Sequence, residues 1–474
     1  MDHRADTYLD GKWVESTGED VIAVLDPSTG HCIATVRECG ADDVDAAVSA
    51  AQRARPVLRA MPVAERAALL ERIADGLEQR EELLADTISR EMGMPRKHCA
   101  SYQVQTAVRT FRNSARALAD VEFSGILGHS VVRREPVGVV AAITPWNFPL
   151  LQTAAKISPA LAAGCPVVLK PSEITPLDAY VLAEVVDEAG APPGVFNLVQ
   201  GNGLTVGEHV VRHPGTTMIS LTGSTRAGRR VSEVAAAAVK RVSLELGGKS
   251  ASVVLPGGDL EAAVAGSVRT VMINSGQACT ALARLLVPFQ DLAEAERLVA
   301  ETMAAYVVGP ASDPDADVGP LASSAQRHRV NEHLERAPVD GARVIWAYPP
   351  DTLPKNGFFV PPTAFAVNDP RIAVAQQEVF GPVLSVIPYT DEEHAVSIAN
   401  GTEYGLTAAV WADGDEPAMR VADRIDAGSI AVNGAPFNGL APFGGMKQSG
   451  HGRELGVHGI MEFTEVKSIQ RRPM

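Results

Sequence analysis

The spacing of apolar positions changes character along the chain. Between residues 41 and 93 it is helical. "ADDVDAAVSAAQRA" (41–54) opens on acids suited to a helix N-terminus, with an Asp as the expected cap. Residues 62–93 are rich in Ala, Leu, Glu and Arg and stop at Gly93, with Pro95 beyond. The first part of the chain therefore reads as helices. From about residue 130, "HSVVRREPVGVVAAITPW" is β-branched and extended. Short apolar runs then alternate with helical ones. Strands are expected at 166–172, 195–201, 217–224 and 241–248, and helices at 176–190, 204–212 and 226–239. Continuously apolar strands between helices predict a parallel sheet covered on both faces, a doubly wound nucleotide-binding architecture. A second α/β series follows residue 248, with strands in "SASVVLP", "RLLVPF", "VLSVIPYT", "TAAVWA" and "SIAVN" and helices at 259–275 and 291–306. The tail "MEFTEVKSIQRRP" reads as one more strand, which cannot stand alone and must pair within the chain or with another subunit.

Composition narrows the function classes. At 474 residues the chain is long enough for two or three domains. Its 46% hydrophobic and 21% charged residues are ordinary for a soluble globular protein. A net charge of −15 argues against nucleic acid or an anionic membrane surface as the main partner. No apolar run is long enough to span a membrane, and the N-terminus has no secretory h-region. Cys32, Cys39, Cys99, Cys165 and Cys279 are odd in number and scattered, without a CxxC. That predicts no disulfide framework, no metal site and a cytoplasmic location.

A few stretches raise questions of chemistry. In "NSGQACTALAR" (274–284), Cys279 stands between Ala278 and Thr280, just after Ser275 and Gly276. Small neighbours leave room for a partner to reach the sulfur, yet the stretch alone fits an inert thiol as well as a nucleophile. Glu245 lies inside the apolar run "VSLELGG", where a carboxylate is paired, at an edge, or kept as a base of raised pKa. Asn147 in "ITPWNFP" is either an ordinary turn residue or a fixed donor to an oxyanion. "KPSE" closes a strand with Lys170 and Glu173, a ribose-binding pair or a solvated loop. "LTGSTRAG" (221–228) turns a strand into a helix at Gly223 and Gly228. It offers N–H groups to a pyrophosphate, or is only a tight turn, and it lacks GxGxxG. "LGGKS" is not a P-loop, because position 243 is Ser243 and not glycine.

The ordered set "ITPWNFPL", "KPSE", "LTGST", "LELGGKS", "GQAC", "EVFGPV" and "PFGGMKQSG" resembles the NAD(P)-dependent aldehyde dehydrogenase superfamily over nearly the whole chain. The 34-residue spacing from Glu245 to Cys279 agrees with that family. Ser275, Gln377 and Val379 depart from its commonest pattern without touching a reacting group. The resemblance implies a Rossmann-like cofactor domain (1–117 and 138–247), an α/β catalytic domain (248–445) and a small β oligomerisation arm (118–137 and 446–474). It implies oxidation of an aldehyde to a carboxylic acid through a thiohemiacetal and a thioester on Cys279. Asn147 then holds the oxyanion together with the Cys279 N–H, Glu245 activates water, and Lys156 assists proton transfer. The cofactor implied is NAD, with NADP as the alternative. Lys170 and Glu173 meet its adenosine ribose, the turn Gly223, Ser224 to Gly228 its pyrophosphate, and Glu378 and Phe380 its nicotinamide end. Ile143, Thr144, Trp146, Ser172, Gly203 and Leu246 line the same cleft.

Two rival readings are a CoA-acylating relative, which needs no water-activating base, and a catalytically silent binding protein on the same fold. The intact Cys279, Glu245 and Asn147 weigh against both. The substrate pocket is expected near 150–156, at Ala278 and Thr280, and along "GAPFNGLA" (434–441) with Phe437. Ala154 and Ala155 are small where a bulky aromatic often narrows the tunnel, and Lys156 is the one cation in these stretches, so a neutral, medium to bulky aldehyde is expected. The implied assembly is a homodimer or homotetramer.

Overall fold

The apolar runs between residues 140 and 245 assemble into one sheet in the computed structural model, which describes residues 2–472. Five strands lie parallel in the order Phe196–Leu198, Val167–Lys170, Val140–Ile143, Met218–Thr222 and Arg241–Glu245. Gly450–His451 adds antiparallel to the last of them. Every residue of the three central strands is buried, as a sheet covered on both faces requires. Helices Pro149–Ala163, Leu177–Glu188 and Thr225–Ala236 run between the strands. The strand order reverses between Val140–Ile143 and Met218–Thr222, so a crevice opens beyond their carboxyl ends.

The second α/β series forms a seven-stranded sheet. Its order is Arg343–Ala347, Thr363–Ala366, Val383–Tyr389, Arg284–Pro288, Ala251–Val254, Thr407–Trp411 and Ser429–Val432. Only the first pair is antiparallel. Two apolar clusters pack around it, one with Phe365, Ile387 and Val410, the other with Met272, Leu285 and Leu384. The fold is thus the expected doubly wound domain with a second α/β domain beside it. Among the described residues no helix is long and apolar enough to cross a membrane.

The N-terminal part differs from the helical reading. Asp2–Arg4, Val21–Leu25 and Cys32–Arg37 form a small sheet, and Asp6–Leu9 pairs with Lys12–Glu15, before the first helix at Ala41–Ala60. These strands are short and interrupted by charge, which hides a period of two. The helix at 41 is capped by Gly40, and Asp43 acts from inside it, accepting the Gly40 N–H at 2.8 Å. The run over 62–93 is two helices, Val63–Gln79 and Glu81–Met92. Arg80 breaks it at φ −106°, and Gly93 ends it in the left-handed region.

The tail strand is Thr464–Gln470, while Met461 and Glu462 belong to the helix Gly456–Glu462. It pairs antiparallel with Ser130–Pro136 of its own chain, and Ser124–Leu127 completes a three-stranded sheet. The arm therefore starts later than residue 446. Gly450–His451 belongs to the cofactor sheet, and Met446–Lys447 pairs with Tyr404–Gly405. Two-residue strands among glycines carry no periodicity to read. Met1, Pro473 and Met474, at the ends of the expected domains, lie outside the described residues.

Candidate active site

Asn147 occupies the turn that joins the strand Val140–Ile143 to the helix Pro149–Ala163, and it is buried. One hydrogen of its Nδ2 goes to the Gln277 carbonyl at 2.9 Å, which leaves the second for a ligand. Its own carbonyl accepts Asn274 Nδ2 at 2.8 Å and Gln103 Nε2 at 3.2 Å.

The loop that carries Cys279 follows the helix Leu260–Met272. Asn274, Ser275 and Gly276 have φ values of 52°, 54° and 72°, a left-handed run that costs ~1 kcal/mol or more at each non-glycine position. Hydrogen bonds hold it. Ser275 Oγ donates to Gly319 O at 2.8 Å, Gln277 Nε2 to Asn274 O at 3.1 Å, and Ala322 N to Gln277 Oε1 at 2.9 Å. At Gly276 a Cβ would collide with the Gly381 carbonyl, so only glycine fits. Cys279 emerges partly exposed, its carbonyl packed against Gly248. Burial pushes its thiol pKa well up, and the carboxylates of Glu378 and Glu245 push it further, while its own N–H acts the other way.

Glu245 ends its strand buried, and neither carboxylate oxygen has a hydrogen-bond partner. Burial raises its pKa well above the ordinary carboxylate range and Glu454 adds to this. Lys156, Arg453 and the Gly445 N–H favour the charge. Lys156 is itself committed, its Nζ 2.7 Å from Glu454 Oε1 with both side chains buried. Cys279, Glu245, Glu454 and Lys156 thus form one electrostatic cluster, in which the Lys156 ammonium is paired with Glu454. The small Ala154 and Ala155 are buried on the same helix. Ala278 is buried and Thr280 exposed on either side of the thiol. Phe437 is 68% exposed, edge-on to Phe443.

Most of the other predicted residues follow the carboxyl ends of the strands Val140–Ile143, Val167–Lys170, Met218–Thr222 and Arg241–Glu245. Thr144 N donates to Lys170 O at 3.1 Å, just after Ile143. Lys170, buried and lowered in pKa by that burial, donates to Gly201 O at 2.6 Å and lies 3.3 Å from Glu173. Ser172 Oγ accepts the Ile174 N–H. Ser224 caps the helix Thr225–Ala236, and Gly228 packs closely on Leu246. No atom outside the immediate chain lies within 4 Å of a Cβ built on Gly203, and around Gly223 the first contacts are at 3.8 Å, so both backbones are open to a ligand. Glu378 Oε1 accepts the Gly248 N–H at 2.9 Å, and its other oxygen fills the space a Cβ on Gly247 would need. Burial raises Glu378 to about 7. Phe380, at φ 57°, sets its ring edge-on to Trp146 at 5.4 Å.

Sequence reasoning missed Glu454, Asn274, Gln277 and Gln103. An acid among glycines in "GHGRELG" was a signal for Glu454, and Gln277 sits inside "GQAC". Nothing local marks Gln103, which lies 44 residues from Asn147.

The chain is similar to known proteins over nearly its whole length. The model of the aldehyde dehydrogenase family matches residues 13–469. A 3-succinoylsemialdehyde-pyridine dehydrogenase of a Pseudomonas species is 44% identical over 98% of this chain and 97% of its own. The geranial dehydrogenase of Castellaniella defragrans is 41% identical over 99% of both. The crystal structure of a cysteine-to-alanine variant of aldehyde dehydrogenase C from Pseudomonas syringae, complexed with NAD+ and octanal, superposes with a TM-score of 0.96 at 43% identity, covering 98% of this chain and 96% of that one.

The charges around the thiol make a prediction. Glu378→Gln removes a negative charge that disfavours the thiolate, so iodoacetamide should alkylate Cys279 several-fold faster at pH 8 than in the parent. An unchanged rate would mean that Glu378 does not face the sulfur.

Proposed function

Because the chain belongs to the aldehyde dehydrogenase family, we propose that it oxidises a neutral, medium to bulky aldehyde to the carboxylic acid through a thioester on Cys279. The observation that carries this reading is the buried, unpaired Glu245 beside a partly exposed Cys279, since such a carboxylate is a base waiting for a water. The same base favours hydrolysis of the thioester over its transfer to CoA. The dinucleotide NAD suits this site: Lys170 and Glu173 hold the adenosine ribose, the uncrowded turn at Gly223 and the helix start at Ser224 meet the pyrophosphate, and Glu378 on its Gly248 anchor holds the nicotinamide ribose.

The chemistry of the chain's own groups follows. The Cys279 thiol gives its proton to water, and the sulfur attacks the aldehyde carbon. The negative oxygen of the thiohemiacetal accepts the second Asn147 amide hydrogen and the Cys279 N–H, each donor contributing roughly 10²–10³ in rate. Bound NAD supplies the acceptor for the hydride that leaves this carbon. The remaining thioester is attacked by a water whose proton Glu245 Oε takes, and the carbon–sulfur bond breaks to release the acid. The proton on Glu245 then reaches solvent by way of Glu454 and Lys156. The pairing of Lys156 with Glu454 supports a neutral aldehyde over one that carries a carboxylate. The relatives named for geranial and studied with octanal act on or bind aldehydes of this kind.

Rapid mixing tests the reading. Glu245→Gln should give a burst of NADH near one per site followed by slow turnover, and Cys279→Ala should give neither. A Glu245→Gln enzyme with parental steady-state rate would remove Glu245 from the mechanism. Glu245 must be ionised to act, so deacylation rises with pH through its elevated pKa. Lys156→Met removes a charge that lowers that pKa and should move the limb to higher pH, whereas Glu454→Gln removes one that raises it and should move the limb lower. Pre-steady-state deacylation rates across pH 5–9 check the signs, and two shifts in the same direction would contradict the cluster.

The assembly we propose is a dimer or a dimer of dimers joined through the arm. Thr464–Gln470 has only one paired edge, and Val466, Ile126 and Leu127 are 59%, 70% and 74% exposed on the arm sheet. An open apolar edge is a hazard that proteins cover, and closed symmetry makes the dimer the simplest cover. Ending the chain at Phe463 should give a monomer by light scattering, and retention of the full-length mass would exclude the tail as the link.

A further inference from the structure

Asn147 is tied from two sides. The cysteine loop holds it through Asn274 and Gln277, as described above. The other tie comes from Gln103, in a single π-helical segment, Ala100–Val104, inserted between the helices Arg96–Cys99 and Gln105–Ala117. Isolated π segments are strained and recur at functional sites, because the extra residue re-aims a side chain. Here Gln103 is fully buried and uses both amide hydrogens, one on Asn147 O at 3.2 Å and one on Met94 Sδ at 3.8 Å. Met94 is itself anchored, since its carbonyl accepts Ser89 Oγ at 2.8 Å and Cys99 Sγ at 3.5 Å. The Gln103 carbonyl oxygen is buried with no partner. Native proteins rarely leave such an acceptor unpaired, so the amide is oriented by its donors.

We propose that Gln103 is a positioning residue, which fixes the main chain of Asn147 so that the free Asn147 amide hydrogen points at the oxygen of the reacting carbonyl. Without it, the only side chain that holds the Asn147 carbonyl is Asn274 of the cysteine loop. With it, that carbonyl is tied as well to the helical segment of the cofactor domain, and the turn that carries the donor is fixed from both sides. The inference rests on the reading of Asn147 as the oxyanion donor.

The test separates reactions that build an oxyanion from one that does not. Thiolate attack on an aldehyde, or on p-nitrophenyl acetate with release of p-nitrophenolate, passes through a negative tetrahedral oxygen. Displacement of iodide from iodoacetamide by the same sulfur does not. In Gln103→Met, which keeps the size and loses the donors, kcat for the aldehyde and the p-nitrophenolate burst rate should each fall about tenfold, with the KM for NAD and the alkylation rate within about twofold of the parent. Gln103→Glu keeps the shape and donates only when protonated, so its burst rate relative to the parent should recover as pH falls, and this variant serves if Gln103→Met does not fold. Carbonyl reactions within about twofold of the parent, alkylation that falls in step with them, or a Gln103→Glu rate ratio independent of pH would overturn the role. Asn147→Ala is the control for the underlying reading. If it keeps the full burst rate, the oxyanion assignment fails, whereas a large loss there beside an unaffected Gln103→Met rejects Gln103 alone.

Discussion

Burying the Glu245 carboxylate with no hydrogen bond on either oxygen costs several kcal/mol, and much of the surrounding structure bears on that cost. The strand Arg241–Glu245 is inserted between Met218–Thr222 and Gly450–His451, so its backbone is paired on both sides while its last side chain is left without a donor. The Gly-rich segment after residue 441 folds over it, and Gly444 lies so close that a Cβ there would sit 2.7 Å from Glu245 Oε1. The Lys156–Glu454 pair, buried alongside, tunes the group without neutralising it. A carboxylate held in this state is poised to take a proton, which is what the proposed thioester hydrolysis needs.

The candidate site draws on both α/β units. The cofactor domain supplies Asn147 and Glu245 from the ends of its strands, while Cys279 and Glu378 arrive on loops of the other domain. Precision at the join depends on backbone that is costly to hold. Asn274, Ser275 and Phe380 all lie at positive φ. Each is tied down: Phe380 O accepts Gln326 Nε2 at 2.7 Å, and the cysteine loop is laced through Gln277 and Gly319. Strain that is over-determined by its surroundings is typical of sites that must not move. Phe437, by contrast, lies exposed in a loop outside this tightly bonded region.

The cofactor domain was legible because its strands are mostly apolar and the helices Pro149–Ala163 and Leu177–Glu188 stop within two residues of a glycine, patterns set by local burial. Cys279, Glu245 and Asn147 were each open to a structural reading in their own stretch, and the ordered set of motifs singled them out. The N-terminal strands were not legible, since Lys12–Glu15 carries two charges in four residues and has no apolar face to read. The helix Ser324–Val339 was missed for the same reason. It buries only Gln326, Val330 and Ala337, yet Gln326 supports the Phe380 loop. Lys156 was read as a free cation because sequence spacing cannot reveal a partner 298 residues away. Gln103 and Glu454 matter only through contacts that the fold creates.

The central claim is that one sulfur carries the acyl group and one buried carboxylate clears it. The most direct measurement is mass spectrometry of digested Glu245→Gln enzyme after it is mixed with NAD and octanal and quenched in acid. The account predicts an added octanoyl group on the peptide that contains Cys279, at close to one per chain, and none on the peptides of Cys32, Cys39, Cys99 or Cys165. An unmodified Cys279 peptide in an enzyme that has released NADH, or the acyl group on another cysteine, would contradict it.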